Sequence, residues 1–132
     1  MSDSSRRLAS FRAVLFLAVL LGASGCGDGA PVSTPGILTA RVESPNGAEG
    51  AALIHLIGGG VTFVEPLTGA LHTSVVGDTT KVLVVLDTPG EIAFRLNVAD
   101  TTRPPVATLI QVADGQNELR AGLLGYSVRF TP

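Results

Sequence analysis

The chain has 132 residues, 45% hydrophobic and 15% charged, with 16 Gly, 8 Pro, one Cys, no Trp and a formal charge of −2. Its length suits one domain, and the low charge fraction with ample Leu, Ile and Val excludes a disordered chain. The near-neutral balance excludes the basic footprint of a nucleic-acid binder, and a single Cys excludes an internal disulfide or a Cys-based zinc site.

The first predicted element is an export signal. Arg6, Arg7 and Arg12 stand against one acid, Asp3, and the unbroken apolar run Ala13–Leu21 follows. Gly22-Ala23-Ser24-Gly25 then leads to Cys26. A basic start, a short apolar run and a small-residue exit describe a secretory signal peptide over residues 1–25. The uncharged stretch Ala13–Gly25 is thirteen residues, short of the roughly twenty that a spanning helix needs. Ser5-Arg6-Arg7 also fits the start of a twin-arginine motif, but Ala9 stands where a large apolar residue is expected, so an ordinary basic n-region is the preferred reading.

Ala23-Ser24-Gly25-Cys26 resembles the lipobox of bacterial lipoproteins, with Ala23 where Leu is most usual. The resemblance implies diacylglyceryl transfer to the Cys26 thiol, cleavage just before it, and further acylation of the new amino terminus. One acyl chain holds a protein on a membrane only reversibly, whereas two or three hold it durably. The expected location is therefore outside the cytoplasm, on the periplasmic face or the cell surface, with the membrane engaged through lipid on Cys26.

Three of nine basic and one of eleven acidic residues precede Cys26, leaving six against ten and a formal −4. Residues 26–36 read as a lipidated flexible tether, since Gly27–Gly36 (GDGAPVSTPG) offers almost nothing to bury. A folded domain is expected over 37–132. Ile37–Glu43 alternates, with Leu38, Ala40 and Val42 on one face, and Ser44-Pro45-Asn46-Gly47 is a turn signal. Ala51–Ile57 is apolar on both faces apart from His55 and ends at Gly58-Gly59-Gly60. Val61–Glu65 is a short strand stopped by Pro66, and Ala70–Val76 precedes the turn Gly77–Thr80. Val82–Leu86, five apolar residues in a row, predicts a central strand covered on both faces.

After the turn Asp87–Gly90, the segment Glu91–Val98 points Ile92, Phe94, Leu96 and Val98 inward. Val106–Ala113 is mostly apolar, Gln116–Leu124 suits a weak strand or one helical turn, and Tyr126–Phe130 alternates again. About eight short strands with regular turn signals and no sustained 3.6-residue period predict an all-β fold, a small antiparallel β-sandwich. From about Gly50 to Phe130 the order of features is similar to cohesin-like domains, β-sandwiches related to carbohydrate-binding modules. The likeness rests on the Gly-rich bend, the core strand Gly90–Val98 and the closing Gly125–Phe130. It implies a cohesin-like or immunoglobulin-like sandwich that binds proteins or glycans, and it carries over no binding residue.

Catalytic constellations are not legible. Ser33, Ser44, Ser74 and Ser127 lack a nucleophile-elbow context, and His55 and His72 are not at metal-ligand spacing. Asp114-Gly115-Gln116-Asn117-Glu118 has a passing likeness to a calcium loop but lacks alternating acids, so it reads as a hairpin turn. The triple glycine lacks the Lys-Ser/Thr of a phosphate loop. No enzyme, cofactor or metal is expected. The expected function is a membrane-anchored, non-catalytic interaction module for a protein partner in the cell envelope. A glycan-binding module and a structural assembly lipoprotein are the alternatives, the latter using Ala51–Ile57 if that strand lies at a sheet edge. A sugar platform normally employs exposed Trp or Tyr; Trp is absent, and the one Tyr, Tyr126, alternates inward.

Overall fold

The computed structural model describes residues 29–132; the expected signal segment 1–25 and the expected lipidation site Cys26 lie outside the described residues. Alternating sequence becomes strand wherever one face can be buried. The eight strands are β1 (Gly36–Glu43), β2 (Glu49–Ile57), β3 (Phe63–Pro66), β4 (Ala70–Val76), β5 (Thr79–Gly90), β6 (Ala93–Val98), β7 (Val106–Ala113) and β8 (Ser127–Thr131). They form two antiparallel sheets of four, ordered β3-β6-β1-β8 (sheet A) and β4-β5-β2-β7 (sheet B). The chain is thus the small antiparallel β-sandwich that its alternation predicts.

The connectivity is a nested hairpin. β4 pairs with β5, β3 with β6, β2 with β7 and β1 with β8, and the chain changes sheet at every connection except β4–β5. This is jelly-roll winding. The β4–β5 connection is a two-residue hairpin in which Gly77 takes φ 60° while Val76 pairs with Thr79. A glycine with positive φ at the first turn position matches the twist of the two strands.

The core lies between the sheets. Leu38 and Ala40 of β1 and Phe94 and Leu96 of β6 face Ala52, Ile54 and Leu56 of β2 and Val82 and Val84 of β5, all nearly or fully buried. Every described strand and core residue falls within 33–132, which forms one compact unit. That unit has its own hydrophobic core, as a domain that folds independently requires. Strand pairing begins slightly before the expected boundary at Ile37. Gly36 already pairs with Val98, and the Thr34 carbonyl accepts from the Thr101 amide at 2.8 Å.

Two departures from the expected pattern bear on function. Ala51–Ile57 is not an edge, because β2 sits between β5 and β7. The run Val82–Leu86 is central but covered on one side only: Val82 and Val84 are fully buried, while Leu83 and Val85 remain 37% and 39% exposed. In a two-layer sandwich each sheet has just one covered face. An apolar run reading inward on both sides must therefore present half its residues outward.

Candidate functional site

Glu49, at the start of β2, is the one buried acid among the described residues, 2% exposed. Its Oε1 accepts hydrogen bonds from the Ser44 hydroxyl at 2.6 Å and the Tyr126 hydroxyl at 2.5 Å. Its Oε2 accepts from Arg120 Nε at 3.1 Å, and Arg120 Nη2 stands 3.1 Å from the same oxygen in an ion pair. Asn46 extends the network, donating its side-chain amide to the Tyr126 oxygen at 2.8 Å and its backbone amide to the Ser44 oxygen at 3.0 Å. Each element contributes for a local reason. Ser44 and Asn46 occupy the Pro-Asn-Gly turn after β1, Tyr126 packs its ring against the core just before β8, and Arg120 sits in the β7–β8 connection. Gly50 lets the strand approach that connection, since a Cβ there would lie 2.3 Å from the Asp114 carbonyl oxygen.

Burial alone would raise the Glu49 pKa, but hydrogen bonds from Ser44, Tyr126 and Arg120, with the charge of Arg120, hold it below the ordinary value of 4.5. Both oxygens are saturated, and the described residues contain no buried side-chain polar atom without a partner. An ionised, fully satisfied carboxylate is a poor general base. Its geometry instead clasps the β1–β2 turn to the β7–β8 connection. A cleft of about 320 Å³ lies beside it, lined by Val42, Ser44, Gly47, Glu49, Glu91 and Ile92 among others.

The hydroxyl and imidazole groups are not brought together. Ser44 donates to Glu49, Ser127 donates to Glu43 at 2.9 Å, and Ser74 lies exposed on β4. Ser33 is exposed just ahead of β1. His55 stands half-buried on β2 opposite Lys81 and Thr108, whereas His72 is exposed on β4 opposite Leu83. The Asp114 segment is a turn: its carboxylate accepts the amides of Gln116 at 2.9 Å and Glu118 at 3.0 Å, and Asn117 takes φ 64°. Among the described residues no group of three His, Cys, Asp or Glu could hold a metal ion, and no helix is long and apolar enough to cross a membrane.

Acid sensitivity follows from these carboxylates. Asp100 is held below its ordinary value by the Thr102 hydroxyl and amide, and Asp114 by the amides of Glu118 and Gln116. Glu49, Asp100 and Asp114 all have folded pKa values below their unfolded ones. Their stabilisation is complete above the ordinary carboxylate range and is lost as pH falls through the depressed values. Urea midpoints are expected to stay level from neutral pH to about 5 and then to fall steadily.

The two outward faces differ in kind. On sheet A, the pairs Arg41–Glu91, Arg95–Glu65 (3.4 Å) and Arg129–Glu43 (3.0 Å) cross the middle of the strands, and Ile37 and Phe63 lie outward at one end beside Asn97. Exposed pairs of this type contribute little stability, but they keep the face hydrated. On sheet B, Ala51, Leu53, Leu83, Val85 and Ile110 lie outward, and with Glu49 buried the exposed formal charges on its strands are Lys81 and Asp87, the latter at the irregular end of β5. A shallow hollow of about 70 Å³ there is lined by Ala51, Leu53, Leu83, Gln111, Ala113 and Leu119 among others. Neither the Glu49 clasp nor this face was singled out from sequence. The double-sided apolar character of Ala51–Ile57 and Val82–Leu86 was the available signal for the second. The chain matches none of the protein-family models, curated proteins or solved structures with which it was compared.

Proposed function

We propose that this chain is an exported bacterial lipoprotein, lipid-anchored through Cys26, whose sandwich is a non-catalytic module docking a protein partner of the cell envelope through the outer face of sheet B. The contrast between the faces carries the reading: the middle of sheet A is laced with ion pairs and its exposed Ile37 and Phe63 stand at one end, while sheet B presents Leu83, Val85 and Ile110, each more than a third exposed, with few charges among them. Contiguous apolar surface with few charges is what the centre of a protein interface employs. The lipobox-like Ala23-Ser24-Gly25-Cys26 supports the anchor. The saturated Glu49 carboxylate supports a binding role over a catalytic one. Glycan binding is less favoured, because Phe63 is the one large aromatic more than half exposed among the described residues, and stacking on sugars needs a broader aromatic platform.

The test is capture from solubilised envelope on immobilised residues 27–132, comparing the native sequence with Leu83→Lys plus Val85→Lys. Arg95→Ala, on the opposite face, is the control. A discrete protein retained by the native module and the control, but at least about tenfold depleted on the double lysine variant, is the expected outcome. Retention indifferent to the lysines, capture of polysaccharide alone, or no retention would each overturn docking at this face.

A further inference from the structure

A two-sheet sandwich has four edges, and three of them here carry features that discourage pairing. β3 is four residues long, contains Glu65 and ends at Pro66. β8 is five residues long and carries Arg129, ion-paired to Glu43. β7 follows Pro104-Pro105, bulges where its register against β2 shifts beside Ile110, and has its end met by the bridge from Leu119 to Ala113. Short strands, prolines, charges and bulges are the usual protections of an open edge.

β4 has none of these. It is seven residues, ALHTSVV, without Lys, Arg, Asp, Glu or Pro, and its pairing with β5 runs unbroken from Ala70↔Val85 to Val76↔Thr79. All its residues but Leu71 are exposed, Val75 and Val76 at 67% and 63%. Among the described residues no strand pairs with its other side.

We infer that β4 is a homodimerisation edge, pairing antiparallel with β4 of a second copy about a two-fold axis at Thr73. The sequence of the strand selects this occupant, because its chemistry is palindromic. Pairing centred on Thr73 sets Ala70 against Val76, Leu71 against Val75 and His72 against Ser74, with the two Thr73 residues opposite each other. Apolar residues meet at both ends, hydroxyl groups meet in the middle, and no like charges are opposed, as favourable cross-strand pairs require. The contact is isologous and closes at two copies. A β4-to-β7 contact would instead propagate without limit, and the bulge and the Leu119 bridge on β7 oppose it. The dimer joins the two B sheets into one of eight strands. It does not depend on the docking of a foreign protein.

The test is sedimentation equilibrium on residues 27–132. The native module is expected to show a monomer–dimer equilibrium. Thr73→Lys and Thr73→Glu each place like charges across the axis and are expected to weaken the dimer at least about tenfold. An equal mixture of the two variants is expected to recover it, because Lys then faces Glu. Thermal melts establish that both variants fold. Thr73→Cys supplies a measurement free of charge effects: facing Cα atoms about 4.5–5.5 Å apart are within disulfide range, so oxidation should yield a covalent dimer. A native module still monomeric at about 1 mM, a dimer indifferent to both charges, failure of the mixture to recover, or absence of the disulfide-linked dimer of the Thr73→Cys variant would overturn the inference. So would a module that stays monomeric yet adds a foreign strand at β4.

Discussion

Glu49→Gln is expected to destabilise the sandwich by about 2–3 kcal/mol, because an ion pair with one buried partner is broken while its hydrogen-bonding hydroxyls remain. The native carboxylate receives Ser44, Tyr126 and Arg120 on two oxygens. The amide has no charge to offer Arg120, and its NH₂ competes with donors already in place. Partial exposure of the Arg120 side chain, 27%, keeps the loss below that of a fully buried pair. Urea unfolding checks this as a lower midpoint at unchanged slope.

Two further measurements separate charge from shape at that site. The variant should flatten the acid limb of the stability profile, since one carboxylate with a depressed folded pKa has been removed. Replacing the acid and its two largest partners with apolar groups, Glu49→Leu with Arg120→Met and Tyr126→Phe, should recover most of the loss, because the polar groups left behind, Ser44 and Asn46, reach solvent. If the triple variant is no more stable than Glu49→Gln, orphaned polar groups are not the cause of the loss and the ion pair and hydrogen bonds themselves supply the stability.

Phe94→Ala is expected to be costlier still, about 4 kcal/mol. Phe94 is fully buried near the start of β6, the sheet A strand that pairs with both β1 and β3. Removing the ring leaves a cavity between two sheets whose backbones are held by ladders on either side, so collapse is limited. On a domain of about this size each kcal/mol lowers the thermal midpoint by roughly 4–8 °C, which places the variant tens of degrees below the native protein. Calorimetry reads this directly; a drop under about 5 °C would mean that the core closes around the lost ring.

Inward-facing residues were legible because side chains alternate across a strand. Leu38, Ala40 and Val42 on β1, and Phe94, Leu96 and Val98 on β6, are buried as the pattern of Ile37–Glu43 and Glu91–Val98 requires. Turns were legible where Pro, Asn, Asp and Gly cluster, as at Ser44–Gly47 and Gly77-Asp78, because backbone conformation there is a local property. Alternation says which side of a strand is buried but not which strand lies beside it. The place of β2 between β5 and β7, the open edge of β4 and the bare outward face of Leu83 and Val85 therefore depended on strand order. Glu49 looked like one more acid before an apolar strand. Its meaning comes from Arg120 and Tyr126, 71 and 77 residues further along the chain. Local chemistry selects strand, turn and buried face residue by residue, whereas neighbours in space arise from the winding of the whole hairpin. The clasp, the apolar face and the free edge all belong to that second level.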